Sequence, residues 1–383
     1  MTNKPKLFIV TTVPITLKGI LNGQPKHLSS EYDISLVSSP DAELAEVGSN
    51  EQLQTHTVSM ERGISPLKDV VSLFNMTKLL LKHKPDAVHS YTPKAGLITM
   101  LAGFIARVPV RIHTFTGLIF PSSTGIKKQI LMWMDRLICA CATTIVPEGN
   151  GVKQDLLSNG ITTKQLNVIG NGNIAGVDTD YFSKASVAKE SSEIRKELSI
   201  PSDDFVFCFV GRFTQEKGFS ELLSAFKQLP NNAYLLLVGS QDDRLPLTQS
   251  ISYELEAHPR ILKTGWVNDV RPLLAISNVL VLPSYREGFP NTPLQAGSMG
   301  MPSIVTNING CNEIIQNGFN GWVVDPKSST ALAKAMLDAM KFEDMEQLGI
   351  NARNNIKQKF ERSFYLEELK KFYKQKFSEV TNK

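Results

Sequence analysis

The chain has 383 residues, 42% hydrophobic and 20% charged, which is ordinary globular composition with length enough for two domains; disorder and fibrous structure are excluded. Forty-one Lys and Arg against 37 Asp and Glu leave a net charge of +4, too mild for a dedicated nucleic-acid binder but compatible with an anionic ligand or a lipid surface. Four cysteines (Cys139, Cys141, Cys208, Cys311) are too few for a disulfide framework and lack zinc spacing, so a reducing cytosol and no metal are expected.

In chain order, Leu7–Val13 reads as a first strand. Lys4 and Lys6 ahead of it mimic a signal peptide, but Pro14 and Lys18 interrupt the pattern and no small-residue cleavage site follows. Ile34–Ser38 is a second strand, and Leu67, Val70, Val71, Phe74 and Leu81 then recur at helical spacing until Pro85. After a strand at Asp86–His89, the apolar run Ala95–Ala106 is shorter than the ~20 residues that cross a bilayer and reads as a buried helix. Ile126, Ile130, Leu131, Trp133, Met134, Leu137 and Ile138 form a broad helical stripe beside Lys127, Lys128 and Arg136. Such a helix suits either an anionic bilayer surface or an ordinary core.

Between Val168 and Pro201 a Gly/Asn cluster from Gly170 to Gly176 precedes a polar stretch, which reads as an interdomain crossing. Its Gly-x-Gly-x-x-x-Gly spacing does not fit a nicotinamide site. Strands follow at Phe205–Val210, Tyr234–Val238, Val279–Leu282 and Ile304–Thr306, with a helical pattern at Leu222, Leu223 and Phe226 and a terminal helix from Phe364. Short apolar strands alternating with helices predict parallel sheets covered on both faces, in two α/β domains.

Two segments carry candidate chemistry. Gly211-Arg212-Phe213-Thr214-Gln215-Glu216-Lys217-Gly218 lies between the strand Phe205–Val210 and a helix, at a strand end where open α/β sheets bind ligands. Arg212 as a planar fork and Lys217 as a compact charge suit a diphosphate, although a solvated turn fits the spacing equally well. The second segment runs from Ser284 to Gly297. There Asn291 or Thr292 is positioned to cap a helix with Pro293 in its first turn, and Glu287 lies just outside that helix. A carboxylate there accepts hydrogen bonds from sugar hydroxyls; alone, it reads more readily as a surface group.

Together these segments resemble the retaining glycosyltransferases of family 4, within them the CapM-like branch that builds bacterial surface polysaccharides. The resemblance extends over Val88-His89-Ser90-Tyr91-Thr92-Pro93-Lys94-Ala95-Gly96, His113-Thr114-Phe115-Thr116-Gly117, Gly170-Asn171-Gly172, Gly176-Val177-Asp178, both segments above, Gly310-Cys311-Asn312-Glu313 and Asn320-Gly321-Trp322. It implies the GT-B fold: two facing Rossmann-like domains with a deep interdomain cleft. Residues 1–178 would be the acceptor domain, with a helix at about 363–383 packing back on it, and 179–362 the nucleotide-sugar domain.

By the same resemblance Arg212 and Lys217 contact the donor diphosphate and Glu287 the transferred sugar, with Gly211, Asn291, Thr292, Leu294 and Gln295 completing the donor site. Gln295 stands where the family's paired-glutamate motif has its second Glu, so it serves as a binding residue at most. Thr116 stands where the family commonly has His, and His113 is three residues earlier. His89, Thr92, Lys94, His113 and Thr116 are the acceptor-side candidates, Lys94 for an acceptor phosphate, although a lone His is more often structural. Glu313 resembles a position near the donor pocket and is given no role.

The function implied is transfer of a hexosyl or N-acetylhexosaminyl group from a nucleotide-diphosphate donor, a UDP-sugar first, to a polyprenyl-diphosphate-linked saccharide of an O-antigen, capsule or exopolysaccharide. The expected place is the cytoplasm, peripheral on the inner face of the cytoplasmic membrane, with an anionic membrane surface as partner and neither metal, cofactor nor nucleic acid. A nucleotide-sugar epimerase of the same architecture and a non-catalytic nucleotide-sugar-binding protein are the alternatives.

Overall fold

A computed structural model describes residues 4–63, 65–242 and 245–381. The chain divides into two compact units: Met1–Ala175 with Ser363–Lys383, and Gly176–Arg362. The division falls inside the Gly/Asn cluster, a little before residue 178. The helix Arg362–Thr381 belongs almost wholly to the first unit, where Tyr365, Leu369 and Tyr373 enter the core with Leu7, Ile9 and Ile112.

The first unit holds β1 (Lys6–Val10), β2 (Asp33–Ser38), β3 (Gln54–Thr57), β4 (Ala87–Ser90), β5 (Val110–Phe115) and β6 (Thr144–Pro147), in the order β3-β2-β1-β4-β5-β6. The second holds β7 (Phe205–Val210), β8 (Ala233–Val238), β9 (Ile261–Gly265), β10 (Val279–Leu282), β11 (Ser303–Thr306) and β12 (Gly321–Val324), in the order β12-β11-β10-β7-β8-β9. Every strand pairing is parallel, as in Phe207↔Val279 and Phe207↔Leu235. Counted within its own unit, each sheet has the doubly wound order 3-2-1-4-5-6, so its chain reverses direction across the sheet between strands 1 and 4.

Central strands account for the apolar runs. In β7, Phe207 and Phe209 pack into one face of the second unit and Val206 and Cys208 into the other, all buried. A phenylalanine buried there contributes roughly 2–3 kcal/mol. All four cysteines are buried and free.

One expectation needs correction. The first strand ends at Val10, and Val13 immediately precedes a helix, Pro14–Gly19, whose first residue is proline. Pro14 lacks an N–H for the ladder but suits a first helical position, so it sets where the strand gives way. The helix Pro66–His83 forms, but the stripe that revealed it faces outward: Leu67, Val70, Val71, Phe74 and Leu81 are 85%, 65%, 59%, 68% and 54% exposed. Ser72, Met76 and Leu80 face the core instead. Periodicity identifies a helix face without saying what covers it.

The helix Gly125–Cys141 is only partly covered. Leu131, Leu137 and Ile138 pack inward, whereas Ile126, Ile130 and Trp133 face out. Among the described residues, no helix is long and apolar enough to cross a membrane.

Candidate active site

In the second unit the reversal point lies between β7 and β10, and the two candidate segments leave the carboxyl ends of those two strands. After β7 the chain turns through a short 3-10 segment, Gln215–Lys217, and enters the helix Phe219–Phe226 through Gly218 at φ 74°. A Cβ at Gly218 would lie 2.1 Å from the carbonyl oxygen of Pro283, the residue following β10. Only glycine allows this approach, and it draws Lys217 against the loop after β10.

Several contacts zip the two segments together. The Tyr285 N–H donates to the Glu216 carbonyl at 2.8 Å, and Arg286 Nη2 pairs with the Glu216 carboxylate at 2.8 Å. Lys217 Nζ reaches Glu287 Oε1 at 2.5 Å, their side chains 21% and 13% exposed. Tyr285 Oη donates to Glu221 at 2.5 Å, and burial, reinforced by that carboxylate, pushes its phenol well above the usual range. Arg212 is largely exposed and pairs with the buried carboxylate of Asp242, beyond the end of β8. The structure therefore brings Lys217 and Glu287 into contact and places Arg212 on the same turn.

The helix Asn291–Ser298 follows. Its cap position is Pro290 rather than Asn291 or Thr292, and no side chain caps it; Pro293 does lie in its first turn, where a missing N–H is tolerated. Leu294 is wholly buried and anchors the helix, while Asn291, Thr292 and Gln295 are half-buried. The positive end of this helix lies next to the Glu287 loop. Gly310, at φ 73°, comes so close that a Cβ would sit 2.4 Å from the Gly288 carbonyl oxygen. Burial first, then the Glu287 carboxylate, push the neighbouring Cys311 thiol up, and Lys217 opposes the shift. Glu313 accepts a hydrogen bond from the Gly310 N–H at 3.3 Å, a local capping contact.

In the first unit the reversal point lies between β1 and β4. Thr92 Oγ1 is 2.6 Å from Thr12 Oγ1 and accepts from the Thr12 N–H at 3.0 Å, which joins the two strand ends. Lys94 Nζ donates to both carboxylate oxygens of Asp69 at 2.6 Å in a pair only 5% and 17% exposed, so Lys94 is not an unpaired cation awaiting an anion. Thr116, half-buried, donates to the Tyr91 carbonyl at 3.0 Å.

Both histidines lie inside the first unit rather than at its surface, and their hydrogen bonds explain why. His89 is bound between Tyr373 Oη at 2.6 Å and Thr114 Oγ1 at 2.7 Å, tying the C-terminal helix to the sheet. His113 Nδ1 is 2.9 Å from Ser90 Oγ, and its ring lies so near Gly96 that a Cβ there would be 2.3 Å from Cε1. Burial pushes the His113 imidazole down to about 3 and lowers that of His89 as well. These are neutral packing residues with internal partners.

Asp242 and Asp69 escaped the sequence reading although they hold the candidate cations Arg212 and Lys94. Asp242 does follow a strand end, the one signal that would have marked it. Among the described residues, no group of three or more His, Cys, Asp or Glu side chains is arranged to hold a metal.

The family described as glycosyl transferase 4-like domain matches residues 27–172, and the glycosyl transferases group 1 match residues 190–358. A capsular polysaccharide biosynthesis glycosyltransferase, CapM, of Staphylococcus aureus is 30% identical over 374 residues, 96% of each chain. The chain belongs to the family 4 glycosyltransferases. This glycosyltransferase is also 28% identical, over 90% of its length and 89% of the relative's, to an Escherichia coli enzyme named UDP-Gal:alpha-D-GlcNAc-diphosphoundecaprenol alpha-1,3-galactosyltransferase. Among solved structures, Anabaena HepE in complex with UDP superposes with a TM-score of 0.78 at 17% identity, covering 97% of this chain and 100% of that one. The two Rossmann-like units of the glycosyltransferase are those of the GT-B fold.

Proposed function

We propose that this enzyme moves a hexosyl or N-acetylhexosaminyl group, with retention of configuration, from a UDP-sugar to a saccharide carried on a polyprenyl diphosphate, in assembly of a bacterial surface polysaccharide. One observation carries the reading: Lys217 and Glu287 meet at the reversal point of the second sheet, with Arg212 on the same turn. The names of the E. coli and S. aureus relatives support the acceptor class and the pathway, and the UDP complex of HepE supports the donor nucleotide.

Cleaving the donor's glycosidic bond builds negative charge on the leaving phosphate and positive charge on the sugar ring. Arg212 and Lys217, helped by the start of the helix Asn291–Ser298, stabilise the phosphate, and Glu287 orients the sugar; each such contact is worth roughly 3 kcal/mol of barrier. Gly211 allows the close turn, Asn291, Thr292 and Gln295 hold the nucleotide, and Leu294 fixes their helix. The acceptor hydroxyl attacks on the face that the phosphate leaves, and that phosphate takes its proton, so Glu287 need not act as a nucleophile. The two cations supply the charge a divalent metal would otherwise bring, which makes the reaction metal-independent. The first unit receives the acceptor at the strand ends bearing Thr92, Lys94 and Thr116, backed by His89 and His113. The enzyme works on the inner face of the cytoplasmic membrane.

A screen of UDP- and GDP-sugars against membrane lipid extract, read by mass spectrometry and linkage analysis, tests this. The expected product is a lipid-linked saccharide longer by one sugar with UDP released. Isomerised donor in the absence of acceptor, or UDP binding without transfer to any lipid, would refute it.

A further inference from the structure

Among the described residues of the first unit none covers the outward stripe of Pro66–His83, and it does not stand alone. The helix Pro93–Ile105 lies between Pro66–His83 and Gly125–Cys141, in contact with both. Leu67, Val70, Val71 and Phe74 occupy the first half of one flanking helix, and Ile126, Ile130 and Trp133 the first half of the other; all seven are exposed. A helix joining parallel strands starts at their carboxyl edge. Both apolar groups therefore border the edge of the sheet where Thr92 and Lys94 sit, and the Lys94–Asp69 pair ties that edge to the start of Pro66–His83.

The charges on these helices are one-sided. Lys78 and Lys82, with Lys68 paired to Glu61, lie on the first, and Lys127, Lys128 and Arg136 on the other. The only carboxylates in the two helices are Asp69, neutralised by Lys94, and Asp135, which burial raises to about 7. Soluble proteins rarely expose so many large apolar side chains together unless something covers them. A second copy meeting this face about a two-fold axis would set lysines against lysines. An anionic bilayer answers both features, apolar side chains entering the acyl boundary and cations remaining at the headgroups.

We propose that the outward sides of Pro66–His83 and Gly125–Cys141 together form one membrane-embedded face, and that an anionic lipid bilayer covers it. This deepens the reading of a lipid-linked acceptor, on which it rests. The embedded face flanks the acceptor edge, so the diphosphate of a membrane lipid meets that edge while its polyprenyl chain stays in the bilayer. Pro66–His83 is then a second insertion element, equal in role to the helix the sequence singles out.

The test is co-sedimentation of the full chain with vesicles of phosphatidylcholine containing about one third phosphatidylglycerol, compared with phosphatidylcholine alone. The wild-type chain is expected to sediment with the anionic vesicles and only weakly with the neutral ones. Val70→Glu with Phe74→Glu, at exposed positions, should lower that partitioning about tenfold or more, with UDP binding and thermal midpoint unchanged. Ile126→Glu with Trp133→Glu should do the same. Brominated lipid should quench Trp133 in the wild type and much less in the Val70→Glu, Phe74→Glu chain. Unaltered vesicle binding by Val70→Glu with Phe74→Glu overturns the proposal. So does a wild-type dimer in solution that this pair of changes converts to monomer, for then a second copy is the occupant. If the wild type binds vesicles through this face yet transfers sugar to no lipid, the functional reading fails and the membrane face stands.

Discussion

Replacing Glu287 by Gln should tighten UDP binding while it slows catalysis. Glu287 and Lys217 neutralise one another at 2.5 Å, with 13% and 21% of their side chains exposed. At an effective dielectric near ~20, two unit charges that close attract by roughly 6–7 kcal/mol before desolvation, and desolvation of both groups offsets much of this. Breaking a fully buried pair from one side costs about 3–5 kcal/mol; with a fifth of Lys217 in water, we expect roughly 2 kcal/mol for Glu287→Gln. If Lys217 meets the donor diphosphate, UDP restores the missing negative charge. The second unit of the variant should then be less stable alone but nearly as stable as the wild type when saturated with UDP. By linkage, UDP affinity rises by about tenfold or more. Turnover falls roughly a hundredfold or more, because the sugar has lost its orienting carboxylate. Calorimetric titration with UDP, thermal unfolding with and without it, and single-turnover assays give the three quantities. Unchanged or weaker UDP binding by the variant would refute the assignment of Lys217 to the diphosphate.

Gln295→Ala should weaken UDP binding with a smaller change in turnover, since a neutral amide can bind ribose hydroxyls but not carry charge; lost turnover at unchanged affinity contradicts this. Activity should survive EDTA, and restoration of an EDTA-abolished activity by added metal would overturn metal independence. The buried His113, lowered to about 3, gives a stability term that is complete above its unfolded pKa near ~6.5. That term is lost as the pH falls from there toward 3, with a slope of about 1.4 kcal/mol per pH unit. His113→Gln should flatten the pH dependence of unfolding of the first unit between roughly pH 6.5 and 5, and an unchanged slope would refute it.

Much of the fold could be read directly because a strand buried on both faces must be apolar throughout. The runs Phe205–Val210 and Val279–Leu282 coincide with β7 and β10. Strand order could not be read this way, since nothing in β7 announces that β10 and β8 lie on either side of it. The outward stripe of Pro66–His83 shows the same limit in reverse: helical spacing is a local property, whereas burial depends on what packs above. At the site, cations and the loop carboxylate stood out because they follow strand ends. Their partners did not, because Asp242 lies 30 residues from Arg212 and Asp69 25 from Lys94, distances that only the folded chain closes.

The crossing of the C-terminal helix into the first unit also bears on the order of events during synthesis. Tyr365, Leu369 and Tyr373 follow residues Gly176–Arg362 in the chain, so the core of the first unit cannot close until the whole second unit has been translated. The earlier half leaves the ribosome lacking one wall of its core and the hydroxyl that holds His89. Until that last helix arrives it is an open sheet, exposed to proteases and to wrong partners, and removing the helix would leave it so permanently.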